Sequence, residues 1–211
     1  MTEATAKKTT RTRKASTSPK TTTAKRKPVS LELPPNPLVF EIFDLASRQR
    51  VKAKKVEVLQ RYAHPVLKSL FIWNYDDRIV SALPEGDVPY GDPEDQLKYE
   101  GSLSSAIEGT SRDMYNNGNF SLGTTDAAAR TTLRSQWKNL YHFVEGGNAA
   151  LSKMRRESMF INLLQSVHPL EAEVLCLVKD KRLGDVYKIP QEVVSLAYPD
   201  IQWGKRWYYG L

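Results

Sequence analysis

From Leu38 onward, apolar residues recur at spacings of three and four, and this spacing most constrains the fold. Residues three and four apart share one face of an α-helix, so each run predicts a helix with one buried face. Several runs begin at a proline, among them Pro37, Pro65 and Pro169, and proline is favoured at the first helical position. The pattern therefore predicts an all-α domain over residues 38–198, a small multi-helix bundle.

Two segments interrupt the helical spacing. In residues 83–90, two prolines and Gly86 impose a defined, non-helical path. Residues 91–126 are rich in glycine, serine and asparagine and predict a long, mobile surface insertion, with at most short helical pieces near 96–107. Elsewhere helices are expected from Asn36-Pro37, over 50–62, from Pro65, over 76–83, from Leu133 to Gly146-Gly147, over 153–167, from Pro169 and over 191–198.

Net charge is confined to one end of the chain. Residues 1–29 carry nine basic groups and one acid, a net charge of +8, whereas the other 182 residues carry 22 basic and 23 acidic groups. The segment contains too few apolar residues to offset an ordering cost of about 1–2 kcal/mol per residue, so it predicts a disordered arm. Its cations are Lys7, Lys8, Arg11, Arg13, Lys14, Lys20, Lys25, Arg26 and Lys27.

A flexible polycation neutralises phosphates, so the arm favours sequence-independent nucleic-acid binding that weakens as salt rises. The segment Ser18-Pro19-Lys20 also resembles the short Ser-Pro-basic elements of histone-like tails. There are three alternatives. The arm could bind an acidic protein or lipid surface, it could serve only as a solubilising tail, or it could be an organelle or nuclear targeting signal. Residues 30–37 form a proline-rich joint that is expected to hold the arm away from the domain.

A second basic group is expected on the second helix. Arg48, Lys52 and Lys55 fall on one face if that helix includes all three. They form either a secondary phosphate-contacting patch or a solvated helix face, and the solvated face is the favoured interpretation.

Aromatic and basic side chains alternate in the C-terminal tail, residues 199–211. Trp203, Trp207 and Tyr208 are expected to pack on the helical body. Docking to a partner protein and stacking on unpaired bases are the alternatives, because aromatic rings with nearby cations suit both.

The sequence contains no motif for metal binding, cofactor binding or membrane insertion. The only cysteine, Cys176, excludes an intrachain disulfide framework, and the three histidines are too widely spaced for a metal motif. The glycine pair Gly146-Gly147 is not followed by the Lys and Ser/Thr of a phosphate loop, which favours a helix C-cap. We therefore predict no cofactor, no metal, no small-molecule substrate and no membrane-spanning segment.

Catalytic constellations are also missing, so the sequence predicts a non-enzyme. Cys176 lies in an apolar run and is interpreted as a core residue, and His64 precedes a proline and is interpreted as a helix cap. Glu171 and Glu173 are two residues apart and diverge on a helix, which does not suit an acid/base pair. Lys179 and its basic neighbours Lys181 and Arg182 are explained by the negative end of the helix dipole.

Three strings of residues carry a family resemblance. They are Leu83-Pro84-Glu85-Gly86-Asp87-Val88-Pro89-Tyr90, Leu140-Tyr141-His142-Phe143-Val144-Glu145-Gly146-Gly147-Asn148, and Arg156-Glu157-Ser158-Met159-Phe160-Ile161 through His168-Pro169-Leu170-Glu171-Ala172-Glu173 to Val178-Lys179-Asp180-Lys181. In this order they resemble a protein family of unknown function from T4-like tailed phages, including those of cyanobacteria, over roughly residues 38–198. The resemblance implies a phage setting and a small helical fold, with the arm and residues 91–126 as additions.

The sequence thus predicts a non-catalytic phage protein whose arm binds nucleic acid, most simply DNA and without sequence specificity. A virion or assembly component whose arm and tail contact other phage proteins is the first alternative, and an adaptor to replication or transcription machinery is the second. The expected location is the host cytoplasm during infection, or the virion.

Overall fold

The computed structural model describes residues 32–116 and 129–204. Within these ranges the chain forms ten α-helices, one 3-10 helix and no strand, which confirms the predicted all-α fold. The helices are α1 (Val39–Arg48), α2 (Lys52–Arg61), α3 (Pro65–Tyr75), α4 (Pro93–Lys98), α5 (Leu103–Asn116), α6 (Leu133–Gln136), the 3-10 helix η1 (Trp137–Phe143), α7 (Lys153–Ser166), α8 (Pro169–Lys179), α9 (Leu183–Val186) and α10 (Gln191–Ala197).

Helix α8 is the centre of the bundle. It packs against α1, α3, α5, α7 and α9, while α2 packs between α1 and α10. The buried side chains of these helices form one apolar cluster. Aromatic rings fill its middle: Trp73 stacks on Phe143 with ring centroids 6.4 Å apart, and Phe143 meets Phe160 edge to face at 5.2 Å. Apolar burial around α8 is therefore what holds the helices together.

Helices α3 and α8 begin in the same way, with a histidine followed by a proline. The Nδ1 atoms of His64 and His168 each accept the backbone N–H two residues later, at 3.2 Å. Each ring satisfies one of the N–H groups that a helix start leaves without an intrahelical acceptor. The interpretation of His64 as a helix cap is confirmed.

Two predictions for the N-terminal half are wrong: the start of the first helix and a helix over residues 76–83. Helix α1 begins at Val39 rather than Pro37, and the Glu41 carboxylate accepts the Leu38 N–H at 2.8 Å. Residues 76–83 are not helical, because Ser81 forms a β-bridge to Val144. Bonds from Ala82 N to Phe143 O and from Glu145 N to Val80 O, 2.8 and 2.9 Å long, flank this bridge.

Residues 91–116 contain more helix than expected of a surface insertion. Helix α5 is 14 residues long and packs against α8, burying Leu103, Ile107 and Ser111 at a spacing of four. Ser111 is fully buried, and its small side chain leaves room for the facing helix. The prediction of at most short helical pieces is therefore wrong for residues 103–116, while residues 117–126 lie outside the described ranges.

The predicted helix from Leu133 is split. One α-helical turn, α6, gives way to η1, in which Trp137, Leu140 and Phe143 are three residues apart, the period of a 3-10 helix. The 3-10 helix ends at Phe143 with Val144 as its C-cap, and Glu145 separates this cap from the glycine pair, so the glycines do not end the helix directly. Gly146 has a φ of +73°, and a Cβ on Gly147 would lie 1.8 Å from the Tyr141 carbonyl oxygen, so both positions favour glycine.

Candidate interaction site around residues 83–90

Residues 83–90 form a loop held by a buried lysine, which we call the lysine-held loop. Lys179, the last residue of α8, is 3% exposed. Its ammonium donates to the carbonyl oxygens of Pro84 and Gly86, at 2.8 and 2.9 Å, and to the Asp180 carboxylate at 2.5 Å. A buried ammonium is tolerated when its three protons have acceptors, so Lys179 fixes the loop to the end of α8.

The side chains of the two residues after α8 add to this attachment. The Asp180 carboxylate also accepts the Gly86 N–H, at 3.3 Å. Lys181, which has a φ of +57°, donates to the Asp76 carbonyl oxygen at 2.9 Å. The turn that leaves α8 therefore contacts both the loop and the end of α3.

Three clefts surround the lysine-held loop. The largest, about 510 Å³, lies between residues 80–86 and 179–182. A second, about 170 Å³, lies between the loop, α5 and α8. The third, about 100 Å³, is apolar and is lined by loop residues together with Phe160 and Ile161 of α7. Three clefts therefore border one loop whose backbone is fixed to α8.

The chemistry of the cleft between the loop, α5 and α8 does not suit a nucleophile. Burial raises the pKa of Cys176 to about 12, so its thiol is protonated at neutral pH. Burial also raises the pKa of Glu173, which the Ser111 hydroxyl and then Arg112 act to lower. No group of three or more potential metal ligands occurs among the described residues.

A second loop, residues 142–151, is held by an arginine, and we call it the arginine-held loop. Arg156 in the first turn of α7 donates to the carbonyl oxygens of His142, Asn148 and Leu151, at 2.8, 3.1 and 3.3 Å. The Asn148 side-chain amide lies 3.0 Å from His142 Nδ1. The bridge between Ser81 and Val144 places the arginine-held loop next to the segment that leads into the lysine-held loop. The residue strings that carry the family resemblance thus contact one another here.

The predicted basic patch on α2 is wrong as a single helix face. Arg48 belongs to α1 and pairs with Asp44 at 2.7 Å, whereas Lys52 begins α2 and pairs with Glu192 at 2.7 Å. Lys55 is buried, and its ammonium donates to the Lys188 carbonyl oxygen. Desolvation by burial, followed by the charge of Lys188, lowers the pKa of Lys55. These contacts keep Lys55 from meeting a phosphate.

The other predicted binding residues are only partly described. All nine cations of the arm lie outside the described residues, as do Trp207 and Tyr208 of the tail. Trp203 is described: it packs against the apolar cluster, and its Nε1 donates to the Ser195 hydroxyl at 3.1 Å. For Trp203 the contacts therefore agree with the packing interpretation.

Sequence reasoning missed two charged residues that organise the fold. The dipole explanation of Lys179 omits its carbonyl contacts, and the position of Glu171 at a helix N-terminus does not by itself indicate that the side chain is fully buried. The available signal is their spacing, because Glu171, Leu175 and Lys179 are four residues apart and share the buried face of α8. A charge that falls on an apolar stripe indicates a buried ionic contact.

Over the described residues the fold and this site define an all-α protein built around a loop fixed to its central helix. The chain belongs to DUF6433, a family of unknown function, whose model matches residues 42–126 and 114–185. The two matches overlap at residues 114–126, within the predicted insertion, and the arm lies outside both. No curated protein and no solved structure matches the chain. No helix in the described part of the chain is long and apolar enough to cross a membrane.

Proposed function

We propose that this protein is a non-catalytic nucleic-acid-binding protein of a tailed phage and that residues 1–29 make the phosphate contacts. The observation that carries the proposal is the charge distribution, a net +8 on residues 1–29 against −1 on all other residues. Binding of this kind depends on counterion release and is independent of base sequence.

The contacts of the helical body support this division. Several of its cations bind backbone carbonyl oxygens and are occupied within the fold: Lys55, Arg134, Arg156, Lys179 and Lys181. Others, including Arg48, Lys52 and Lys68, form ion pairs with carboxylates. Cations held by carbonyl oxygens offer little to a phosphate backbone, and the paired cations are balanced by neighbouring carboxylates, so the proposal assigns DNA contact to residues 1–29.

The test compares the full chain with a full-length variant in which the nine cations of residues 1–29 are changed to glutamine. Binding to a mixed-sequence DNA duplex is measured by fluorescence anisotropy over a salt series. If six or more arm cations contact phosphates, the affinity of the wild type falls by about 10³–10⁵-fold between about 50 and 200 mM salt. The glutamine variant should bind weakly and show almost no dependence on salt.

Two matched controls complete this experiment. A variant with residues 1–29 shuffled but of unchanged composition should bind like the wild type, because counterion release depends on charge and not on order. The double substitution Arg48→Gln and Lys52→Gln should also leave binding unchanged. If the variant with nine glutamines binds as tightly as the wild type, the proposal is wrong.

The phage setting rests on the resemblance to proteins of T4-like phages, and we place the protein in the host cytoplasm during infection. Quantitative mass spectrometry of purified particles of the encoding phage tests this location. Presence at a fixed copy number would instead support the alternative of a virion component whose arm and tail contact other phage proteins. Absence from particles, together with DNA binding in infected cells, would support the proposal.

A further inference from the structure

Glu171 joins the beginnings of two helices that are distant in sequence. It lies in the first turn of α8 and is 0% exposed. Its Oε1 accepts the N–H of Val39 and its Oε2 accepts the N–H of Leu133, both at 3.0 Å. These are the first residues of α1 and α6, whose N–H groups have no intrahelical acceptor. One carboxylate therefore satisfies both helix starts.

The groups around Glu171 shift its pKa in opposite directions. Burial raises its pKa most strongly, and the charge of Glu41 on α1 raises it further. The N–H groups of Val39 and Leu133 lower it, as does the charge of Arg134 on α6. The resulting pKa is about 7. Glu41 is itself buried and accepts the Leu38 N–H, while Arg134 donates to the Pro37 carbonyl oxygen at 3.2 Å. Two histidines lie near these groups: His168 caps α8 three residues before Glu171 and stacks on Phe40, and burial, followed by the charge of Arg134, lowers the pKa of His64.

We propose that Glu171 is a proton-operated junction between α1 and α6. As a carboxylate it holds the first N–H of both helices. When a proton from solvent binds one of its oxygens, that oxygen becomes an O–H donor and loses most of its strength as an acceptor. The helix start bound to that oxygen is then released, while the other stays held. This device is independent of nucleic-acid binding by residues 1–29.

The junction gives a signature that a simple loss of structure does not. Because the folded pKa lies above the ordinary value of 4.5, the folded state binds the proton more tightly than the unfolded state does. The contribution of Glu171 to stability is therefore largest below its unfolded pKa and declines as pH rises through about 7. Acid thus favours the fold as a whole while it weakens one helix start.

The test follows the backbone amides of the full-length, isotope-labelled protein by NMR between about pH 5 and 9. We expect the Val39 and Leu133 amide signals to titrate together with a midpoint near 7. At low pH, hydrogen exchange of one of the two, corrected for its intrinsic pH dependence, should be faster by about tenfold or more. If neither signal moves in this range, the proposal is wrong.

Substitutions separate Glu171 from its neighbours. Glu171→Gln has one acceptor oxygen and an NH₂ group, so it should show the low-pH pattern at every pH. Glu173→Gln, a half-buried neighbour on α8, should leave the titration unchanged, and Glu41→Gln should lower its midpoint because a like charge is removed. A titration that persists in Glu171→Gln would overturn the proposal, and if that variant does not fold, the wild type and Glu41→Gln decide.

Discussion

The lysine-held loop and the arginine-held loop are both fixed by a single cation, but from opposite ends of a helix. Lys179 is buried at the C-terminal end of α8, where the helix dipole favours a positive charge. Arg156 is half-buried near the N-terminal end of α7, where the dipole opposes it by about 0.3–1 kcal/mol. At Arg156 the three carbonyl contacts therefore act against the dipole, whereas at Lys179 the contacts and the dipole act together.

The largest difference between the loops is expected from the substitution Lys179→Met. It removes a buried charge, leaves the Pro84 and Gly86 carbonyl oxygens without their donor and leaves the Asp180 carboxylate with the Gly86 N–H but without its ion-pair partner. We expect a loss of about 3–4 kcal/mol in the free energy of unfolding, measured by urea denaturation. Lys181→Met, a third exposed, is the matched control and should cost about 1 kcal/mol. Equal losses in both variants would show that burial of Lys179 is not decisive.

The second-largest difference is expected in the loss of stability when a glycine of each loop is changed to alanine. In Gly147→Ala, the new Cβ would lie 1.8 Å from the Tyr141 carbonyl oxygen, so the backbone of the arginine-held loop must shift. We expect a loss of about 2–3 kcal/mol. Gly86→Ala meets no atom within 4 Å but must adopt a φ of +80°, which costs about 1 kcal/mol. Thermal unfolding compares the two variants, and a larger loss for Gly86→Ala would contradict the described geometry.

A smaller effect is expected from Arg156→Met. Its three acceptors are backbone carbonyl oxygens in a half-buried loop, and water can replace part of the lost bonding. We expect a loss of about 1–2 kcal/mol, with faster amide exchange over residues 142–151 and little change over residues 83–90. The conservative variant Arg156→Lys should recover part of the loss. If exchange rises equally in both loops, the two are not held independently.

The smallest expected effect is a local response of the arginine-held loop to acid. Burial, and then the charge of Arg156, lowers the pKa of His142 below 6.5. The pKa of His142 is lower in the folded state than in the unfolded state, so the folded state binds this proton less tightly. The contribution of His142 to stability is therefore fully present above the unfolded pKa and is lost as pH falls through the folded pKa. Protonation of Nδ1 also removes the acceptor for the Asn148 amide.

Amide exchange at about pH 7.5 and 5.5 measures this response in each loop. Corrected for intrinsic rates, protection should fall over residues 142–148 and stay constant over residues 83–90. The substitution His142→Gln should abolish the difference. A parallel fall in both loops would indicate a global effect of pH instead.

Two of the three helix starts marked by a proline were predictable, because their signals are local, whereas the start expected at Pro37 was not observed. Pro65 and Pro169 fall at the first positions of α3 and α8, and each is preceded by its histidine cap. The non-helical path of residues 83–90 followed in the same way from its prolines and from Gly86. Local chemistry determines these features whatever packs against them.

Features that depend on packing were missed. Helix α5 contains Gly109 and several serines, which lower helix propensity, and it is stabilised by contact with α8. The 3-10 helix η1 shares apolar spacing with an α-helix, so the pattern did not separate the two. The site was predicted only in part: the loop was recognised, but its attachment to Lys179 depends on a residue 93 positions away.

Both buried ions of α8 bind main-chain atoms, which every amino acid except proline carries in full. Lys179 recognises the carbonyl groups of residues 84 and 86 and not their side chains. We therefore expect that the exposed Glu85, which lies between these two residues, can be exchanged without disturbing the bundle. This makes the position suited to a spectroscopic reporter that follows how firmly the loop is held.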